Sequence, residues 1–167
     1  MIALEIDRSL VGSEYPNYND FVVLYRTNAQ SRVVEEVFLK YGIPYRIVGG
    51  IRFYQRKEVK DILAYLRIIQ NPNDSVSLLR IINVPTRKIG TKTLEVLQEF
   101  AMRNNLSLFN AMLLANDVPD LAGSKSEEIL KFVKLIKNLQ LLNGDFQASG
   151  MIKLVLDRSG YKKFIDD

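Results

Sequence analysis

The apolar run Phe21-Val22-Val23-Leu24-Tyr25 gives way abruptly to the polar stretch Arg26-Thr27-Asn28-Ala29-Gln30-Ser31-Arg32, after which Val33, Val34, Val37 and Phe38 recur at helical spacing. Five residues rich in Val and aromatics suit a buried strand, and the spacing that follows predicts a helix over about 30–41. Gly42 is placed to stop that helix, and Pro44 prevents its continuation. Tyr45-Arg46-Ile47-Val48 then reads as a second strand. The expected unit is β-α-β with parallel strands. Upstream, Ile2, Leu4, Ile6 and Leu10 predict a helix, followed by a loop through Gly12, Ser13, Pro16 and Asn17.

Gly49-Gly50 marks a change of pattern, beyond which the chain reads as helical. Val59, Ile62, Leu63, Leu66 and Ile69 form one face of a helix over 58–70, with Lys57, Lys60, Asp61 and Arg67 on the other. Asn71-Pro72-Asn73 ends it. Asp74 or Ser75 caps the next helix, in which Val76, Leu79 and Ile82 are expected to face inward, joined by Leu78. Helices are also predicted behind Gly90-Thr91, behind Ser107, behind a capping box at Ser124-x-x-Glu127, and over 149–158 up to Gly160. In the third of these Ile129, Phe132, Val133, Ile136 and Leu139 make the buried stripe, opposite Lys131, Lys134 and Lys137. Phe164-Ile165-Asp166-Asp167 closes no predicted element, so the expectation is a segment of a longer protein, truncated at its C-terminal side.

The 167 residues contain neither cysteine nor histidine, which removes thiolate and imidazole chemistry together with the commonest metal ligands. No Gly-x-x-x-x-Gly-Lys-Ser/Thr loop is present to cradle a triphosphate. A stand-alone enzyme is therefore disfavoured, and ATP hydrolysis by this chain alone is not expected. The net charge of +4 is unevenly distributed. Residues 1–48 carry 5 basic and 6 acidic groups, residues 49–100 carry 9 and 5, and residues 101–167 carry 9 and 8, so the surplus sits in the middle third. That is where a polyanion would dock. The lysines at 125, 131, 134 and 137 lie near Glu127 and Glu128 and read as a solvated face.

Three stretches carry candidate chemistry. In the first, Arg26 and Arg32 offer planar forks to phosphate and Asn28 can bond a sugar or base; the plain alternative is a polar turn in which Asn28 or Ser31 caps a helix. In the second, Gly49-Gly50-Ile51-Arg52-Phe53-Tyr54-Gln55-Arg56-Lys57, the glycines supply backbone freedom for a hinge, or simply form a loop beside packed aromatics. In the third, Thr86-Arg87-Lys88-Ile89-Gly90-Thr91-Lys92-Thr93 sets a glycine turn at a helix N-terminus amid cations and hydroxyls. Unpaired amides and the positive end of the helix dipole favour an anion there, whatever the base sequence.

Taken in order, Tyr25 to Arg32, Gly49 to Asp61 and Asn83-Val84-Pro85-Thr86-Arg87-Lys88-Ile89-Gly90 resemble motifs of the UvrD/Rep/PcrA group of superfamily 1 DNA helicases. The resemblance implies an α/β fold class, a small parallel β-α-β RecA-like piece of subdomain 2A over residues 1–48, followed by the mainly α-helical subdomain 2B over 49–167. The chain is expected to be predominantly helical overall.

By the same resemblance Arg26, Asn28 and Arg32 touch the single strand. Thr86, Arg87, Lys88, Ile89, Gly90, Thr91, Lys92 and Thr93 hold duplex phosphates, and Gly49 and Gly50 form the hinge. The family pattern at the third stretch is Gly-Ile-Gly, resembling a helix-hairpin-helix element; here Lys88 replaces the first glycine. The implied parent is an ATP- and Mg²⁺-dependent 3′-to-5′ helicase, bacterial, cytoplasmic and nucleoid-associated. The fragment itself would bind no cofactor. Its implied partners are single-stranded and duplex DNA and repair proteins but no membrane, and the fragment is expected to be monomeric. A different class of reading is a regulatory helical module that docks a repair protein and restrains the motor.

Overall fold

A computed structural model describes residues 2–12, 14, 17–50, 52–121 and 123–166. Ser13 and Pro16 of the expected loop, Ile51 of the second motif and the terminal Asp167 lie outside the described residues. The chain divides into two compact units, Met1–Val59 and Lys60–Asp167.

In the first unit α1 (Ile2–Val11) and α2 (Asn28–Lys40) share a small core in which Ala3, Ile6, Phe38 and Ile43 are buried. The Gly42 helix stop forms as the sequence predicts. Gly42 takes φ +68°, its N–H donates to the Leu39 carbonyl and the Ile43 N–H to the Phe38 carbonyl. That pairing satisfies two terminal carbonyls of α2 and brings Phe38 and Ile43 into the same apolar cluster.

The expected β-α-β piece is not formed. Among the described residues there is no strand, so the fold class is all-helical rather than α/β. Residues 21–25 and 43–47 belong to no helix or strand, though both alternate between less and more exposed positions as strands do. They do not pair; a cleft of about 820 Å³ separates them, lined by both segments and floored by Ser31, Val34, Glu35 and Phe38. Val22 and Leu24 are 78% and 90% exposed. A strand exists only by its ladder, and sequence pattern cannot supply the neighbour.

The second unit takes its first helix from α3 (Lys57–Gln70), which begins at the end of the first unit. It continues with α4 (Ser75–Ile81), α5 (Thr91–Arg103), α6 (Leu108–Leu113), α7 (Ser124–Leu141), α8 (Ala148–Arg158) and α9 (Tyr161–Asp166). Predicted caps at Asp74 and Ser107 are present, each side chain accepting an N–H from the helix's first turn. The capping box at Ser124 is not: Gly123, at φ +76°, occupies the cap and Ser124 is already helical. Asn105, at φ +53°, closes α5 with the Leu106 N–H donating to the Ala101 carbonyl. No described helix is long and apolar enough to cross a membrane.

Two helix faces differ from expectation. On α3 the buried residues are Asp61, Ala64, Tyr65, Ile68 and Ile69, while Leu63 is left 37% exposed. On α4 Ser77, Leu78 and Ile81 face inward and Val76 is 81% exposed. The cause is polar: Asp61 Oδ1 pairs with Arg80 Nε at 2.8 Å and Asp61 Oδ2 accepts from the Tyr161 hydroxyl at 2.8 Å. A carboxylate that is 1% exposed needs such partners, and meeting them turns both helices.

Candidate nucleic-acid interface

The first candidate begins where residues 21–25 lead into α2. Thr27 is the N-cap, and the Gln30 side chain reaches back so that its Oε1 accepts from the Arg26 and Thr27 amides at 3.0 and 3.3 Å. Asn28 is the first residue of the helix, not its cap. Arg26 and Asn28 are both exposed, and the Asn28 carbonyl accepts from Ser31 Oγ at 2.8 Å and from Arg56 Nη2 at 2.8 Å. Arg32 is held differently: its Nε pairs with Glu36 at 2.8 Å, and its guanidinium lies 4.9 Å from the centre of the Phe53 ring. The hydrogen bond that Arg32 donates to Glu36 pushes its pKa further up, so its charge is fixed but already paired.

The glycine pair lies in the same unit. Gly49 takes φ +75°, which a side chain would strain, and a Cβ on Gly50 would come within 3.2 Å of Ile47 Cγ2. Beyond them the Phe53 N–H donates to the carboxylate of Glu35, which is 3% exposed and also accepts from Ser31 Oγ and the Tyr45 hydroxyl. Phe53 and Arg56 thus tie the segment after the glycines to α2.

The second candidate, residues 86–93, is built on the turn between α4 and α5. Gly90 caps α5 with extended backbone at φ −83° and no side-chain bond to the first turn. Thr86, Lys88, Gly90, Thr91 and Lys92 are exposed, whereas Ile89 and Thr93 are buried at 2% and 6% and anchor the turn. Thirteen helical residues lie behind that end, so its unmatched first-turn amides and dipole present a positive face beside two lysines.

Lys88 has φ +60°, left-handed backbone that costs a residue with a Cβ roughly 1–2 kcal/mol. A glycine would take this conformation without strain, and this chain holds it with a lysine.

Arg87 does something the sequence did not announce. Its N–H donates to Asn83 Oδ1 at 2.6 Å, and its guanidinium is turned inward. Nη1 donates to the carbonyls of Ile81, Ile82 and Pro85 at 3.0, 3.1 and 3.1 Å, and Nη2 to the Tyr65 hydroxyl at 2.7 Å and the Ser159 carbonyl at 3.3 Å. It also stacks 5.1 Å from the centre of the Phe132 ring. The Tyr65 hydroxyl in turn donates a hydrogen bond to the Val84 carbonyl at 2.6 Å, and burial pushes the Tyr65 pKa up. The signal for this role was an arginine just past a helix end whose last carbonyls need donors.

Comparison with known proteins identifies the family. The UvrD-like helicase C-terminal domain matches residues 1–118. Over 149 residues, 89% of this chain, the sequence is 47% identical to the ATP-dependent DNA helicase PcrA of Staphylococcus epidermidis and 46% identical to that of Staphylococcus aureus. Each alignment covers 20% of the relative, so the chain spans about a fifth of the length of the curated relatives it matches. On this likeness, carried through both candidate stretches, the chain belongs to the family of UvrD-like helicase C-terminal domains.

Proposed function

We propose that this chain is the DNA-holding part of an ATP-dependent 3′-to-5′ helicase, and that residues 86–93 grip duplex phosphates without reading bases. The observation that carries the reading is the exposed turn Lys88–Lys92 opening α5, with its cap free of side-chain bonds and Ile89 and Thr93 anchored beneath. Lys88 and Lys92 supply charge, and the amides of the first turn supply donors of fixed direction. Arg87 acts from behind, holding the turn. Arg26 and Asn28 brace a single strand at the start of α2, with Arg32 contributing through a guanidinium shared with Glu36. Gly49 and Gly50 form a joint that opens only when the bonds of Phe53 to Glu35 and Arg56 to Asn28 are released. ATP and Mg²⁺ would be held by other segments of the parent protein.

The test is a salt titration of duplex binding by the 167-residue chain and its Lys88→Glu/Lys92→Glu variant. The reading expects weaker binding for every duplex sequence and a log–log salt slope shallower by about 2, since each phosphate contact contributes roughly 0.9. Unchanged affinity and slope would remove the duplex assignment. Retention of a protein partner by a chain that binds no DNA would favour a docking module instead.

A further inference from the structure

We infer that the phosphate-holding surface has a second half, the turn joining α8 to α9, and that Arg87 is the positioning residue that keeps the two halves in register. This rests on the reading of residues 86–93 given above and extends it to residues which that reading does not include.

The link is the bond from Arg87 Nη2 to the Ser159 carbonyl, which spans 72 positions of sequence. The backbone beside Lys88 and the backbone beside Arg158 therefore lie within one arginine side chain of each other. Neither turn is loose. Ser159 Oγ accepts from the Tyr161 N–H at 3.2 Å and donates to the Val155 carbonyl at 2.5 Å, and Gly160 makes the bend at φ +76°. Tyr161 is buried at 1% and its hydroxyl is anchored on Asp61. Arg87 meanwhile holds Ile81, Ile82 and Pro85 with its other terminal nitrogen. One guanidinium thus fixes two turns to the same core.

The charge on the second turn matches that on the first. Lys153, Arg158, Lys162 and Lys163 are exposed, and between residues 150 and 163 the single carboxylate is Asp157. Arg8, Arg32, Arg80, Arg103 and Lys131 take part in ion pairs, whereas among the described residues no ion pair is seen for Lys88, Lys92, Arg158, Lys162 or Lys163. On the lysine face of α7, Lys131 is paired with Glu128 at 2.6 Å, while Lys134 and Lys137 are exposed cations outside both turns and serve as a comparison. Exposed cations on two turns whose backbones are joined through one arginine side chain match the closely spaced phosphates of a duplex, whose strands face each other across a minor groove about 6 Å wide. Because Arg87 joins the second turn directly to residues 86–93, the occupant we assign to it is the same duplex.

The experiment compares duplex affinity and salt slope for the wild-type chain, Lys88→Glu/Lys92→Glu, Arg158→Glu/Lys162→Glu and, as a control for charge alone, Lys134→Glu/Lys137→Glu. All these positions are exposed, and helical circular dichroism verifies that each variant is folded. The inference expects Arg158→Glu/Lys162→Glu to flatten the slope by about 2, as two lost phosphate contacts require, while the α7 control stays within about twofold of wild type. If Arg158→Glu/Lys162→Glu behaves like the control while Lys88→Glu/Lys92→Glu loses binding, the second half is overturned and the first reading stands. If both behave like the control, both fail. Loss of binding to polyglutamate with duplex binding retained would assign the second turn to an acidic protein and overturn its place here. Arg87→Lys keeps the charge and loses the fork. At a temperature where its helical signal equals wild type, its slope should fall toward that of Arg158→Glu/Lys162→Glu, and a wild-type slope would overturn the positioning role.

Discussion

The two units answer the same kind of sequence differently. Among the described residues the second unit buries a continuous cluster of 23 apolar residues, whereas the first buries 4 and leaves Val22, Leu24 and Val48 between 78% and 90% exposed. Both contain long apolar stretches at sensible spacing. The difference lies in where hydrogen bonds can be made. A helix closes its backbone bonds locally, so α7 and α8 need only a face to pack against, while an extended segment depends wholly on a neighbour. Polar side chains follow the same rule. The second unit ties Asp61 to Arg80 and Tyr161 across a packed core, and the first ties Glu35 to Ser31, Tyr45 and Phe53 beside an open cleft.

That contrast can be broken by removing each buried carboxylate in turn. Asp61→Asn should have the larger effect, about 2–3 kcal/mol in urea unfolding of the second unit, because Arg80 loses its ion and the Tyr161 hydroxyl its charged acceptor. An unchanged unfolding midpoint would show that the Asp61 network is dispensable. Glu35→Gln should cost less, about 1–2 kcal/mol, and should act locally. Hydrogen exchange at the Phe53 amide should accelerate while exchange in α7 stays constant; acceleration throughout would mean that the units do not unfold separately.

The smallest effect is a pH dependence at the start of α4. Hydrogen bonds from Ser77 hold the half-buried Asp74 carboxyl below its ordinary value, so the folded chain binds that proton more weakly than the unfolded one. The stabilisation is therefore present above the ordinary aspartate range near 3.8 and is lost as pH falls through the lowered folded value. Asp74→Ala should lower the melting temperature slightly at neutral pH, with the gap to wild type closing in acid. A gap independent of pH would refute the cap's electrostatic part.

What was legible in the sequence was the local chemistry. Gly42 as a helix stop, Asp74 and Ser107 as caps and the stripe from Ile129 to Leu139 each depend on residues within a turn or two of one another. What was not legible depended on distant partners. Asp61 looked like a surface charge because Tyr161, which holds it, is 100 residues away. Val76 and Leu79 looked like core for the same reason, since the Asp61–Arg80 pair determines how α3 and α4 turn. Within the candidate interface, Gly90, Lys88 and Lys92 stand where the pattern put them, exposed at the opening of α5. Arg87 was read as a phosphate contact and is instead occupied with five internal acceptors, four of them main-chain carbonyls. No spacing rule distinguishes an arginine that faces solvent from one that closes a turn.

The central claim is that fixed cations and helix-end amides around residues 88–92 hold nucleic acid by its backbone. Fluorescence anisotropy with several duplexes of unrelated sequence, repeated from low to high salt, tests it most directly. The account predicts one common affinity at each salt concentration and a steep slope that Lys88→Glu/Lys92→Glu flattens by about 2 for every duplex. A slope left intact by that variant, or affinities that differ from one base sequence to another, would contradict it.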